Sequence, residues 1–127
     1  MTSHLDGNLV LRDRIVPGRV TFDSHIRDLA PLKNAGKRYI LPGFVDGHVH
    51  GGGGADTMDG VEAIETLARF HMAHGTTTIL PTTITAPWND VMSALWAVAD
   101  VCKRGLENGP RIHGAHLEGP FVSPHKL

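Results

Sequence analysis

The stretch Leu41-Pro42-Gly43-Phe44-Val45-Asp46-Gly47-His48-Val49-His50 has the pattern of a short apolar strand, and four glycines, Gly51 to Gly54, follow it. Successive side chains of a strand point to opposite faces, so His48 and His50 share one face, with Cα atoms roughly 6.5 Å apart. Neutral imidazole is the commonest ligand of catalytic divalent metals. The pattern therefore indicates a metal-binding pair, although strand-end histidines also occur as polar plugs of a sheet.

Composition restricts the class of protein. The 127 residues are 41% hydrophobic and 20% charged, as in a folded globular domain with a core of its own. The formal net charge of −1 does not suggest a nucleic acid or a membrane surface as a partner. Cys102 is the single cysteine, and the N-terminal residues lack the apolar segment of a signal peptide. We therefore expect a cytoplasmic protein without an intrachain disulfide.

The first 42 residues predict a small antiparallel sheet. Short β-type runs alternate with turn signals, of which Pro17-Gly18 is one, and no helical period is evident.

From residue 43 the pattern alternates between strands and helices, which predicts an α/β fold over 43–127. Strands are expected at Phe44–His50, Thr76–Leu80 and Ile112–Leu117. One helix is expected to begin with Asp59 as its N-cap and to end at Gly75; a second runs from Pro87 to Gly105, with Trp88 and Trp96 as packing residues. Strands separated by helices of this length form a parallel sheet of right-handed βαβ units.

Polar residues fall at the carboxyl ends of all three predicted strands. His48 and His50 end the first, Thr82 and Thr83 follow the second, and Glu118 follows the third. Active sites of parallel α/β folds gather at this edge, so two imidazoles and one carboxylate are expected to meet there. Such a set suits Zn²⁺ or Fe²⁺, which lowers the pKa of the water it binds.

Simpler interpretations of these residues remain open. Glu118 by itself has the character of an ordinary exposed carboxylate. The four glycines form either a flexible turn or a bare backbone that lets substrate or metal approach closely. His116 shares a face with Glu118 and either lines the site or packs in the core.

Three segments together resemble the N-acetylglucosamine-6-phosphate deacetylases of the amidohydrolase superfamily. They are LPGFVDGHVHGGGG (residues 41–54), GTTTILPTTIT (75–85) and HLEGPFV (116–122). The PGFxDxHxH start is shared across the superfamily, including dihydroorotases and several deaminases, whereas HLEGPF is much more specific to the deacetylases. The resemblance covers about residues 38–127.

The resemblance implies a metal-dependent (β/α)8 barrel preceded by a small β domain, to which residues 1–42 would belong. It implies hydrolysis of N-acetylglucosamine 6-phosphate to glucosamine 6-phosphate and acetate. Glu118 matches the glutamate metal ligand, and His48 and His50 match a pair that binds a further metal in some members. One or two Zn²⁺ or Fe²⁺ ions are therefore implied, with Glu118 as the bridge between two. For the full-length enzyme we expect a homodimer or a higher oligomer.

A (β/α)8 barrel needs about 250 residues, and this chain supplies three strands and two helices. The resemblance implies that two further metal histidines, the general-base aspartate and the phosphate-binding residues lie beyond Leu127, so no catalytic residue is expected within the chain. We expect this chain to be the N-terminal part of the enzyme, either as a truncated gene product, as a partial sequence or as one piece of a split chain. Alone, it is expected to be inactive. Two alternatives remain: an amidohydrolase that acts on a cyclic amide or nucleobase, and a non-catalytic fragment that pairs with a complementary C-terminal chain.

Overall fold

The computed structural model describes residues 1–126 and divides the chain after Pro42 into two compact units. Residues 1–42 form one unit, and the second begins at Gly43. Neither helix within the described residues combines the length and the apolar character that a bilayer-spanning helix requires.

The first unit is a sheet of four strands: β1 (Ser3–Val10), β2 (Ile15–Phe22), β3 (Ile26–Pro31) and β4 (Tyr39–Ile40), in the order β3-β2-β1-β4. The pairs β1–β2 and β2–β3 are antiparallel, as predicted. The pair β1–β4 is parallel, so the prediction of a purely antiparallel segment is wrong.

The parallel pair arises because the chain passes from one edge of the sheet to the other between β3 and β4. Asn8 fixes this return segment: its side-chain amide donates hydrogen bonds to the carbonyl oxygens of Gly36 (2.9 Å) and Arg38 (3.1 Å). The segment is thereby held alongside β1, and β4 enters the sheet in the direction of β1.

Pro17-Gly18 lies inside β2, and the prediction of a turn at this position is wrong. Proline is tolerated in a strand where its missing N–H faces no ladder partner. The Pro17 carbonyl accepts a hydrogen bond from Leu32 N–H at 3.0 Å, so its backbone polar side faces the end of β3. The last paired residues of these two strands are Gly18 and Pro31, so Pro17 lies just outside the ladder.

The second unit confirms the predicted alternation of strands and helices. Its parallel sheet has the order β5-β8-β9, with β5 at Phe44–Val49, β8 at Thr76–Pro81 and β9 at Arg111–Ile112. The helices are α1 (Val61–Ala73) and α2 (Trp88–Arg104); β6 (Gly51–Gly52) pairs with β7 (Ala55–Asp56), and single 3-10 turns lie at Thr57–Asp59 and Pro124–Lys126. The third strand is shorter than predicted and continues only as an isolated bridge between Thr82 and His116. These strands form an open sheet, so the closed barrel stays a prediction.

The core of this unit lies between the two helices and the sheet. It contains Val49, Ile79 and Ile112 from the strands, Ile64, Leu67 and Ala68 from α1, and Ala97, Val98 and Val101 from α2. Each large aliphatic side chain buried in this way contributes roughly 1.5–3 kcal/mol. Trp88 and Trp96 were expected to pack here, but they are 56% and 69% exposed because they lie on the outward side of α2.

The start of α1 differs from the expectation, and its end agrees with it. Gly60 is the N-cap, with φ of 94°, and its carbonyl accepts the hydrogen bond from Ile64 N–H at 3.1 Å. Asp59 belongs to the preceding 3-10 turn, so its prediction as the N-cap is wrong. That backbone conformation favours glycine, which decides the cap position. Gly75, with φ of 99°, follows the C-cap His74 as predicted.

Ion pairs join α1 to α2 on their exposed side. Glu65 of α1 accepts hydrogen bonds from Arg69 of the same helix at 3.0 Å and from Arg104 of α2. Arg104 also donates to Asp100 at 3.1 Å. The hydrogen bonds from Arg104 and Arg69 hold the pKa of Glu65 below its usual range.

We predict that the substitution Glu65→Gln lowers the stability of the chain at pH 7 and that this loss disappears in acid. Because the pKa of Glu65 is depressed on folding, its contribution is present above the ordinary glutamate pKa of about 4.3 and is lost as the pH falls through the folded value. Urea unfolding at pH 7 and pH 3 measures the difference. Glu107→Gln, an exposed loop carboxylate, is the control and should change little. An equal loss at both pH values would contradict the prediction.

Candidate metal centre

Three side chains predicted from the sequence to meet do so at the carboxyl edge of the sheet. Glu118 Oε2 lies 2.8 Å from His48 Nε2 and 3.1 Å from His50 Nε2, and the two nitrogens lie 3.2 Å apart. Their ligand atoms all lie within 4.8 Å of one another, as a metal site requires. Within the described residues 1–126, this group of three side chains is the candidate metal centre.

A bulge in β5 directs His48 toward the cluster. Asp46 pairs with Ile79 and Val49 pairs with Pro81, so β5 contains one more residue than β8 between these two pairs. Bulges bend a strand and re-aim a side chain, and they are frequent beside active sites. Val49 between the two histidines is 8% exposed and faces the core, so His48 and His50 point the other way.

His50 is followed by a two-stranded hairpin formed by the glycine run. Gly51 and Gly52 pair with Asp56 and Ala55, and Gly53 and Gly54 form the turn with φ values of 64° and 83°. A Cβ atom on Gly51 would clash with the backbone carbonyl oxygen of Ala55, so the hairpin requires bare backbone there. His71 Nε2 donates to the Gly51 carbonyl oxygen at 3.0 Å. The run is therefore an ordered support for the segment that carries His50.

His116 lies beside the cluster without joining it. Its Nδ1 donates to the Gly47 carbonyl oxygen at 2.8 Å, and its ring centroid lies 4.4 Å from that of His48. Of the two roles left open for His116, this position fits the one beside the site and not the one in the core. Its hydrogen bond also fixes the bulge that directs His48.

Thr82 and Thr83 bind the strands that carry the three ligands, a role the sequence did not reveal. Thr82 Oγ1 accepts a hydrogen bond from Val49 N–H at 2.8 Å, and Thr83 Oγ1 accepts one from Glu118 N–H at 3.2 Å. Two polar residues directly after a buried strand were the available signal. A hydroxyl that binds the backbone of a neighbouring strand depends on the strand register, which the sequence does not display.

The cluster is open to solvent and electrostatically suited to a cation. Side-chain exposure is 52% for His48, 38% for His50 and 46% for Glu118, which leaves a path for a small molecule. The hydrogen bond from His48 lowers the pKa of Glu118 below its ordinary value. Glu118 is therefore an ionised carboxylate at neutral pH.

The donor set and its spacing fit a divalent metal. Two imidazole nitrogens and one carboxylate oxygen are ligands that Zn²⁺ and Fe²⁺ accept. Ligand atoms at about 2.0–2.1 Å from a tetrahedral ion lie about 3.3 Å from one another. The observed triangle of 2.8, 3.1 and 3.2 Å needs to expand by only a few tenths of an ångström to match.

Comparison with known proteins finds a matching family and similar deacetylases. Residues 39–124 match the amidohydrolase family. An N-acetylgalactosamine-6-phosphate deacetylase of Escherichia coli O157:H7 is 40% identical over 86 residues, which are 67% of this chain and 22% of the relative. An N-acetylglucosamine-6-phosphate deacetylase of Vibrio furnissii is 40% identical over 85 residues, which are 66% of this chain and 21% of the relative. The chain thus spans about a fifth of the length of these two curated relatives.

A solved structure agrees over nearly the whole chain. The crystal structure of N-acetylglucosamine-6-phosphate deacetylase from Thermotoga maritima is similar with a TM-score of 0.82 at 27% identity. The similarity covers 98% of this chain and 34% of that one.

We predict that the intact protein, meaning the full-length enzyme of which this chain is expected to be the N-terminal part, binds a divalent metal. His48→Ala or Glu118→Gln should weaken this binding by more than about 100-fold. Loss of a ligand should cost more than loss of an outer partner, which typically costs 10–100-fold. Titration with Co²⁺ in competition with a chromogenic chelator measures the affinity. His113→Ala is the matched control, since His113 is exposed and follows β9 outside the cluster. Unchanged Co²⁺ affinity in either ligand variant would contradict the assignment.

Proposed function

The chain belongs to the amidohydrolase family, and we propose that it carries the metal ligands of an enzyme that hydrolyses N-acetylglucosamine 6-phosphate to glucosamine 6-phosphate and acetate. The observation that carries the proposal is the convergence of His48, His50 and Glu118 at the carboxyl end of three parallel strands. Its substrate is supported by relatives that are named as deacetylases of N-acetylated amino-sugar 6-phosphates.

In this proposal His48, His50 and Glu118 hold one or two Zn²⁺ or Fe²⁺ ions. A bound divalent ion supplies Lewis acidity toward the amide carbonyl and lowers the pKa of water to near neutrality. Both histidine contacts fall on Oε2 of Glu118, so neither histidine uses Oε1. Glu118 would be the shared ligand where two ions are bound, and its depressed pKa keeps the carboxylate ionised for this role.

The proposal assigns part of the chemistry to residues outside this chain. Water adds to the amide carbon, the C–N bond breaks, and the proton from water passes to the leaving amine, a transfer that needs a general base and acid. The proposal assigns this transfer to an aspartate outside the chain. Two further metal histidines and the residues that bind the sugar phosphate are likewise assigned to segments outside it.

The open edges of the sheet support completion by further strands. Strands β5 and β9 are the two edges of the described sheet, and unpaired edges invite pairing. Phe44 and Val45 of β5 are 56% and 72% exposed, and Leu117 beyond β9 is 51% exposed. In the proposed enzyme, residues 43–127 begin a (β/α)8 barrel whose remaining strands cover these side chains. Residues 1–42 belong to a small β domain; the enzyme is cytoplasmic and forms a homodimer or a higher oligomer.

A second substrate has a specific observation in its favour. The Escherichia coli relative is named for N-acetylgalactosamine 6-phosphate, and its identity of 40% equals that of the Vibrio furnissii relative. The two sugars differ at a single hydroxyl group, so the metal centre serves both equally. Residues that contact the sugar ring decide between them.

We predict that the intact protein releases acetate from N-acetylglucosamine 6-phosphate faster than from N-acetylgalactosamine 6-phosphate, and that it does not act on a cyclic amide or a nucleobase. Acetate release with each substrate, expressed as kcat/KM, makes the comparison. Metal-mediated stabilisation is worth several kcal/mol, so Glu118→Gln should lower kcat/KM by about 10³-fold or more. The control is again His113→Ala. A preference for N-acetylgalactosamine 6-phosphate, for the cyclic amide or for the nucleobase would refute the proposed substrate.

We also predict that residues 1–127 alone release no acetate from N-acetylglucosamine 6-phosphate. Three ligands on an open sheet lack the general base, the phosphate-binding residues and the rigid surrounding shell that hold a reacting geometry. Purified chain, loaded with Zn²⁺ and assayed beside the intact protein, provides the measurement. Recovery of activity on co-expression with a complementary C-terminal chain would favour the split-chain alternative.

A further inference from the structure

Two adjacent threonines, Thr82 and Thr83, directly follow β8, and both are 0% exposed. We propose that their hydroxyls are positioning groups for the metal centre, Thr82 for the histidine pair and Thr83 for Glu118. This inference rests on the proposed function, because it concerns the metal that the hydrolysis requires. The two residues are called the threonine clamp below.

Thr82 binds both backbone polar groups of Val49, the residue between the two histidines. Its N–H donates to the Val49 carbonyl oxygen at 2.8 Å, and its Oγ1 accepts from Val49 N–H at 2.8 Å. The hydroxyl donates its own proton to the Leu80 carbonyl oxygen at 3.1 Å. Since the β5 bulge breaks the regular ladder just before Val49, the Thr82 hydroxyl replaces a strand carbonyl as the acceptor.

Thr83 makes the corresponding contacts on the other side of β8. Its N–H donates to the His116 carbonyl oxygen at 3.0 Å, and its Oγ1 accepts from Glu118 N–H at 3.2 Å. The same Oγ1 lies 3.5 Å from the Glu118 carbonyl oxygen. Regular pairing of β9 ends at Ile112, so Thr83 holds Glu118 at the sheet beyond the point where the ladder stops.

The clamp therefore ties the two ligand-bearing strands to one rigid strand end. The backbone N–H groups of these adjacent residues point toward opposite edges of the sheet, so Thr82 contacts β5 and Thr83 contacts the segment after β9. Neither hydroxyl touches the ligand side chains; each acts on the backbone that carries them. Catalytic groups must be held within about 0.5 Å, which such buried hydrogen bonds achieve.

Valine tests each hydroxyl, because it keeps the branched shape of threonine and removes the acceptor. Thr82→Val leaves Val49 N–H without its partner, and Thr83→Val does the same to Glu118 N–H. Outer partners of metal ligands typically contribute 10–100-fold to metal affinity. We expect each substitution in the intact protein to raise the Co²⁺ dissociation constant by about 10–100-fold. The visible absorption spectrum of bound Co²⁺, which reports the ligand geometry, should change as well.

Two sets of variants separate positioning from general destabilisation. Thr82→Ser and Thr83→Ser keep the hydroxyl and lose a methyl group, so their Co²⁺ affinity and spectrum should stay close to those of the parent. Thr76→Val makes the same exchange at a threonine that is 7% exposed at the opposite end of β8, and it should leave both readouts unchanged. Thermal unfolding of every variant measures any loss of stability alongside.

The outcomes distinguish this inference from the proposed function. Parent-like Co²⁺ affinity and spectrum in both valine variants would overturn the clamp, as would an equal loss of affinity in Thr76→Val. A protein that binds Co²⁺ but releases no acetate from the amino-sugar phosphate refutes the proposed function, and the same Co²⁺ titrations still decide whether the clamp exists.

Discussion

One carboxylate oxygen holds the candidate centre together. Glu118 Oε2 contacts the ring nitrogens of His48 and His50, although Glu118 lies 70 residues from His48 in the chain. Three electron-rich atoms at such distances repel one another unless a proton or a cation lies between them. Only the parallel arrangement of β5, β8 and β9 brings the strand ends that carry them to one edge.

The sequence predicted this convergence because it follows from the directions of the strands alone. Helical periods between the strands imply crossovers, crossovers imply parallel strands, and parallel strands place His48, His50 and Glu118 at the same edge. Strand directions do not determine the register between neighbouring strands. The extra residue in β5 and the hydroxyl contacts of Thr82 and Thr83 depend on which residues lie opposite one another, which only coordinates reveal.

The errors in the fold prediction have the same origin, since local signals were overruled by neighbours in space. Pro17-Gly18 has the composition of a turn, but it sits where β3 ends and a missing N–H costs nothing. Asp59 has the chemistry of an N-cap, but the chain reaches α1 with a positive φ that only Gly60 adopts easily. Strand β4 is parallel to β1 because the Asn8 side chain binds the segment that leads to β4. The periodicity of the sequence does not encode this contact.

The ligand cluster is assembled by β5, β8 and the segment after β9, so its geometry is already determined within the described residues. Structural metal sites are closed by four protein ligands, whereas catalytic sites leave a position open. Here three candidate ligands face solvent with side-chain exposures of 38–52%. Further strands would therefore have two separate effects. They would enclose the exposed ligands and exclude water, and they would add the acid–base group without rearranging His48, His50 and Glu118. The buried hydroxyls of Thr82 and Thr83 hold the backbone of Val49 and Glu118, so the three candidate ligands already converge within the described residues.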